Sequence, residues 1–257
     1  MDFTALHQQN TPLLMANVWD AASARAAHEA GYQALGTSSA AIAAMLGYED
    51  GEGLSFDELL YIVTRIKSVT CLPLSVDVEA GYGASASDIT SNLTRLAELG
   101  VVGVNLEDSR VIKGVRQLDD AAVFARRLTA IRHQLDDARC RLFINVRTDT
   151  FLLNHPQALH ETLLRGRLYQ QAGADGLFVP GLTSEHDIAI LAQDIPVPLN
   201  VMCMPDLPTF DRLGELGVKR ISMGNFIHSK MHSTLTTFMR AIPSQQSFAG
   251  VFINESS

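Results

Sequence analysis

Short apolar runs alternate with longer stretches of helical spacing along the whole 257-residue chain. The runs are LLMANV (13–18), ALGTSS (34–39), LPLSVDVE (72–79), VGVNLED (102–108), LFINVRTD (142–149), GLFVP (176–180), PLNVMC (198–203) and RISMG (220–224). Between them, helix-like segments cover 20–31, 55–70, 86–99, 119–137, 156–172, 184–193, 208–217 and 226–240. Ser55, with Glu58 three residues on, and Ser184 carry N-cap signals. This alternation predicts βαβ units and a parallel sheet. Four phrases, AGYQAL (30–35), LGVVGV (99–104), AGADGL (172–177) and LGVKRI (216–221), place a glycine just past a helix end and run straight into a strand. Eight strands joined this way favour a closed (β/α)8 TIM barrel over an open doubly wound sheet. No linker or composition break divides the chain, so the expectation is one barrel domain over 1–257, with a polar C-terminal tail at 244–257.

Composition narrows the partners. Hydrophobic residues make up 47% of the chain, enough for one large core, and the net charge is −8 with no basic stripe. Nucleic acid and anionic membranes are therefore not expected partners. No run approaches the roughly 18 apolar residues of a membrane helix. The start, MDFTALHQQNTPLL, lacks the basic and apolar regions of a signal peptide. Cys71, Cys140 and Cys203 are odd in number and without a C-x-x-C pair, which reads as reduced, mostly buried thiols of a cytoplasmic protein.

In a barrel the chemistry lies at the C-terminal ends of the strands. Those ends carry Thr37-Ser38-Ser39, Asp77-Val78-Glu79, Glu107-Asp108, Arg147-Thr148-Asp149 and, on strand seven, Asn200. Side chains two apart on a strand share a face, so Asp77 and Glu79 are expected to point together into the mouth; outward, they would lie under helices. Glu107 joins them from the next strand. Three close carboxylates repel unless a cation binds them, and a hard divalent ion such as Mg²⁺ suits oxygen ligands. The alternative is that the acids cap helices or pair with Arg110 and Arg116. Arg147 can take a substrate carboxylate through two parallel hydrogen bonds; alternatively it forms an ion pair with Asp77 or Asp149. Ser38, Ser39 and the amides after them can cradle a carboxylate or oxyanion.

Two further patterns carry less. Gly81-x-Gly83-x-x-Ala86 imitates a dinucleotide fingerprint, but Asp77 and Glu79 would repel a pyrophosphate placed there. His228 and His232 stand four apart without a third ligand, so zinc is not expected.

VDVEAGYG (76–83), GVNLEDS (103–109), INVRTDTF (144–151) and GADGLFVPG (173–181), in this order and spacing, resemble the isocitrate lyase/phosphoenolpyruvate mutase superfamily. The resemblance runs from about Asn17 to about Phe226 and is nearest to the carboxyvinyl-carboxyphosphonate phosphorylmutase-like branch. It implies a Mg²⁺ site (Mn²⁺ as a substitute), with Asp77 as the direct ligand and Glu79 and Glu107 reaching the metal through water. It implies that Asp50 helps to order the site. Ser38, Ser39, Ala40 and Arg147 would bind a small carboxylate substrate, and Asn200 sits where the lyases have an asparagine. It also implies a homotetramer built from dimers that exchange a C-terminal helix. The chain departs from the pattern after Glu107, where EDSRVIKGVRQLDD lacks the acid/base cysteine of the isocitrate and methylisocitrate lyases. Lys113 matches a lysine of the mutases there, without their Asn-Ser pair, and is the candidate closing residue. Pro180 replaces the glutamate or histidine at the end of strand six. The resemblance thus points to a Mg²⁺-dependent carbon–carbon lyase for a small 2-oxo or 2-hydroxy (di)carboxylate, of the methylisocitrate/dimethylmalate lyase or oxaloacetate hydrolase kind. Phosphonomutase or P–C bond chemistry is the second reading, and a non-catalytic binding barrel the third.

Overall fold

The computed structural model describes residues 2–51 and 53–252. In chain order its strands are β1 (Leu13–Leu14), β2 (Ala16–Val18), β3 (Leu35–Thr37), β4 (Leu74–Asp77), β5 (Gly103–Glu107), β6 (Ser109–Ile112), β7 (Val115–Leu118), β8 (Phe143–Arg147), β9 (Gly176–Phe178), β10 (Leu199–Met202) and β11 (Arg220–Ser222). The helices are α1 (Phe3–Leu6), α2 (Ala21–Glu29), α3 (Ser39–Leu46), α4 (Phe56–Lys67), α5 (Ala86–Glu98), α6 (Ala121–Asp137), α7 (Ala158–Gln171), α8 (Glu185–Asp194), α9 (Phe210–Glu215) and α10 (Phe226–Gln245). The large sheet is parallel throughout, in the order β1-β11-β10-β9-β8-β5-β4-β3-β2. Its two ends are consecutive pieces of one segment, with β1 pairing to β11 and β2 to β3, so the barrel closes on itself. Among the described residues no helix is long and apolar enough to cross a membrane.

The expected eight strand segments are all present. Each of the four glycines at the expected helix–strand junctions, Gly31, Gly100, Gly173 and Gly217, has positive φ, the left-handed geometry that ends a helix cheaply only for glycine. Ser55 and Glu58 form the capping box that starts α4, and Ser184 caps α8. Four elements go beyond the expected pattern, the short helix α1 among them. Residues expected to be loop after β5 fold into the antiparallel hairpin β6–β7. The Ser38–Ala40 segment opens helix α3, with Ser38 as its N-cap. Helix α10 continues to Gln245, and the following segment, expected to be polar, exposes Phe248, Val251 and Phe252. The tail residues 253–257 lie outside the described residues.

Strand alternation divides the core in two. Val76, Val104, Leu106, Ile144, Val146, Leu177, Val201 and Ile221 point outward and are buried with the apolar faces of the helices. The inward positions are polar. Asn145 Nδ2 donates to Asn105 Oδ1 and to Asn200 Oδ1, both at 3.0 Å. Asn200 Nδ2 donates to Ser222 Oγ at 2.7 Å, and Arg220 Nη2 to Asn105 Oδ1 at 3.2 Å. An apolar plug closes the N-terminal end of the barrel, formed by Phe3, Leu6, Leu13, Met15, Ala34 and Phe143. His7 stacks on Phe143 there, with ring centroids 4.3 Å apart, and its Nδ1 donates to Phe3 O at 3.0 Å.

Burial, and then the charge of Arg220, push the His7 pKa down to about 4. The unfolded chain takes up this proton near pH 6.5 while the fold resists it, so the stability His7 contributes is complete above 6.5 and is lost as pH falls toward 4. Between pH 7 and pH 5 the wild type is expected to lose roughly 2 kcal/mol more than His7→Leu. Urea melts of both proteins at the two pH values measure the difference; equal losses would refute the assignment.

Candidate active site

Asp77 is the last residue of β4, at the mouth of the barrel. Its backbone N–H donates to Thr37 Oγ1 at 2.8 Å, and its Oδ2 accepts from Ser39 Oγ at 2.8 Å. Its other oxygen, Oδ1, is buried without a hydrogen-bond partner. Burial raises the Asp77 pKa against the pull of Arg147 and Ser39, and Asp50 raises it further. Glu79 does not follow from simple alternation, because the strand has already ended and Glu79 has φ +48°. It is nevertheless buried, with Oε1 accepting from Tyr82 OH at 2.9 Å. The glycines beyond it serve packing. A Cβ on Gly81 would come within 2.8 Å of Ile89, and one on Gly83 within 2.8 Å of the Asp88 side chain. The dinucleotide-like spacing is thus the turn that seats α5.

Glu107 ends β5 with both oxygens held by guanidinium groups. Arg147 Nη1 donates to Oε1 at 2.6 Å, and Arg116 Nη1 donates to Oε2. Arg147 Nε also donates to Asp149 Oδ1 at 2.6 Å, and Arg116 Nη2 to Asp50 Oδ2 at 3.0 Å. Burial drives the Glu107 pKa upward, with the two arginines pulling against it. Burial alone would lower the Arg147 pKa, but Glu107, Asp149 and Asp77 outweigh it and push it up. The alternatives set beside the metal in the sequence are therefore partly realised: Glu107 pairs with Arg116, and Arg147 with Asp149. Asp108, next to Glu107, faces outward under α7 and is compensated there by Arg165 (2.9 Å), Tyr169 (2.8 Å) and Thr148 (2.7 Å).

A cavity of about 270 Å³ opens over Asp77. Ser38, Ser39, Ala40, Asp50, Asp77 and Arg147 line it, so six of the residues singled out in the sequence meet at one place. Glu79 and Glu107 line an adjoining recess with Arg116. Two of the expected residues lie outside both recesses. Asn200 is in the interior network below the mouth and does not line the cavity. Its strand position turns it toward Asn145 and Ser222, which consume its amide. Lys113 sits at the exposed turn of the hairpin, where Lys113 and Gly114 both have positive φ, and lines neither recess. The basic group that the hairpin delivers is Arg116, on the returning strand. The two-residue Lys-Gly turn between apolar positions was a hairpin signal available in the sequence. Asn17, Asn105, Phe178 and Met202 also line the cavity, at strand positions where only register reveals an inward direction.

Comparison with known proteins identifies the family. The chain is 34% identical to an uncharacterised protein of Mycobacterium tuberculosis over 89% of its own length and 84% of the other's. It is 31% identical to oxaloacetate decarboxylase 1 of Pseudomonas fluorescens, covering 85% of this chain and 75% of that one. A crystal structure of a candidate phosphonomutase from Burkholderia cenocepacia superposes with TM-score 0.87 at 40% identity, covering 93% and 97% of the two chains. Phosphonopyruvate hydrolase in complex with oxalate and Mg²⁺ shares the fold at 19% identity, TM-score 0.85, over 100% and 90%. The sequence profile of the phosphoenolpyruvate phosphomutase family matches residues 3–243. The chain belongs to that family of barrel enzymes, within the isocitrate lyase/phosphoenolpyruvate mutase superfamily.

Proposed function

We propose that the chain is a Mg²⁺-dependent carbon–carbon lyase of a small 2-oxo or 2-hydroxy carboxylate. The observation that carries this reading is Asp77 Oδ1, a buried carboxylate oxygen without a partner in a cavity that also presents a guanidinium. Buried polar atoms left unpaired are rare and costly, and a cation beside Asp77 satisfies this one. Among the described residues no three His, Cys, Asp or Glu side chains come close enough to share an ion directly. Asp77 would hold the ion, with Asp50, Glu79 and Glu107 as the other carboxylates of the mouth, as suits an ion that keeps most of its hydration shell. When bound, the metal supplies Lewis-acid stabilisation of the charge that develops on the substrate's α-oxygen.

The chain's own groups do the rest. The first amides of α3, at Ser39 and Ala40, present the positive end of an eight-residue helix to the substrate carboxylate. Arg147 orients the acid end of the scissile half, held in place by Glu107 on one side and Asp149 on the other. This fixed geometry needs little reorganisation as charge moves during bond cleavage. A second reading, P–C bond chemistry on a phosphonopyruvate-like acid, is favoured by the 40% identical phosphonomutase candidate and by Arg116, a second guanidinium beside the mouth.

Helix α10 exposes Ile227, Met231, Leu235, Phe238 and Met239. An apolar groove of about 470 Å³ runs between α10 and α2, lined by Ala22, Ala26 and Ala30. A contiguous apolar surface of this kind marks an interface. We assign it to a second copy of the chain, through exchange of α10, in a homotetramer of dimers.

Four outcomes are expected. Screening C3–C6 oxo and hydroxy acids releases pyruvate or oxalate in a reaction abolished by EDTA and restored by Mg²⁺ or Mn²⁺. Asp77→Asn and Arg147→Met each lower kcat/KM by about 100-fold or more with circular dichroism unchanged; wild-type rates in either variant would sink the assignment. In ³¹P NMR, phosphonopyruvate incubated with enzyme and Mg²⁺ stays unchanged if the lyase reading holds, and a new phosphorus resonance favours the second reading. Light scattering after gel filtration gives a tetramer, and Met231→Glu/Phe238→Glu gives a smaller species; a monomeric wild type would overturn the assembly.

A further inference from the structure

The cavity combines polar and apolar lining. Asp77, Asn105, Ser39 and Arg147 line it with Asp50, Ser222 and Asn225, and the apolar side chains of Leu152, Phe178, Met202, Met204 and Phe226 complete it. These five side chains come from the segment after β8 and from β9, the β10 end and the start of α10, so one apolar wall is assembled from four separate parts of the chain. Among the described lining residues Arg147 is the one cationic side chain, and its guanidinium is already engaged by Glu107 and Asp149. Arg116 lies in the adjoining recess, tied to Glu107 and Asp50. A negative group reaching the apolar side chains meets no free counter-charge and shares the cavity with the Asp50 carboxylate, whereas an alkyl group there loses only unfavourable hydration. At about 270 Å³ the space lies just below the usual range for small-molecule sites, so it suits a small acid and excludes a nucleotide or a thioester carrier.

We infer that the substrate bears an uncharged, apolar arm on the end remote from its 2-oxo or 2-hydroxy carboxylate. The acid end sits on the α3 amides and Arg147, and the arm lies against Leu152, Met202, Met204 and Phe226. This selects an alkyl-substituted oxo or hydroxy acid over one with a further carboxylate at that end. The inference rests on the oxo-acid reading of the same site and sharpens its substrate class.

Calorimetric titration with Mg²⁺ present separates the two, because it needs no turnover. The probes are pyruvate, 2-oxobutanoate, 2-oxopentanoate and 4-methyl-2-oxopentanoate, set against oxaloacetate and 2-oxoglutarate. Affinity is expected to rise about fourfold per added methylene until the wall is covered. The branched acid is expected to bind at least tenfold more tightly than 2-oxoglutarate. Leu152→Arg and Phe226→Arg place a cation on the partly exposed rim, where a long side chain is tolerated, and either is expected to reverse that order. Equal or tighter binding of 2-oxoglutarate by the wild type, or an unchanged order in both arginine variants, overturns the apolar-arm inference and leaves the oxo-acid reading intact. Binding of none of the six acids overturns both.

Discussion

The arrangement at the mouth depends on one buried carboxylate. Glu107 is almost completely shielded from water, and each of its oxygens is held by an arginine from a different element. Removing one partner of such a group leaves a buried charge uncompensated, at a cost of about 3–5 kcal/mol. Arg147 comes from the neighbouring strand and fixes the side of the cavity where substrate must lie. Arg116 comes from the hairpin and ties β6–β7 to the barrel, with Asp50 as a second anchor on the loop after α3. The hairpin's place over the strand ends is thus set by charge as well as by its own turn.

Beneath this cluster the barrel interior is unusually polar for a closed sheet. TIM barrels commonly fill their centre with layers of branched apolar side chains. Here Asn105, Asn145, Asn200, Ser222 and Arg220 form the layer directly under the site. Burial lowers the Arg220 pKa to about 10, partly offset by attraction to Asp77, so at neutral pH it stays charged and adds positive potential below that carboxylate. Polar satisfaction inside the barrel and the chemistry above it are therefore parts of one electrostatic arrangement. The apolar plug of Phe3, Leu6 and Phe143 seals its lower end and keeps the effective dielectric low.

The parts of the fold governed by local rules were legible in the sequence. Glycine after a helix, Ser-x-x-Glu before one and an apolar run between them each depend on a few neighbouring residues. Those signals placed the eight strand segments and most of the helices. The convergence of Ser38, Ser39, Ala40, Asp50, Asp77 and Arg147 was legible for a different reason: strand ends in a barrel share one face whatever the details of packing. Asn200 and Lys113 lie outside the cavity because their positions turn on register and turn geometry. Asn200 lies one layer too deep, where the side chains of Asn145 and Ser222 and two backbone carbonyls absorb its hydrogen bonds. Lys113 occupies the left-handed corner of a two-residue turn, which projects it into solvent. The pairing of Arg116 with Glu107 stood in the sequence as an alternative to the metal, and the hairpin fold decides it.

That exchange of roles bears on the reaction. In the lyases that the sequence resembles, the segment after the strand-four glutamate supplies a cysteine that transfers a proton. Here the same segment folds back to present Arg116, which keeps its proton at any working pH and can only stabilise negative charge. The nearest thiols offer no substitute: Cys71 and Cys203 are exposed, Cys140 is held in its neutral form by burial, and none lines the cavity. A guanidinium at this position, tied to Glu107 and Asp50 in the recess beside the cavity, holds the mouth together without providing an acid for an anionic intermediate. The chemistry best suited to such a site breaks a bond toward a stabilised anion and does not draw a proton from this segment.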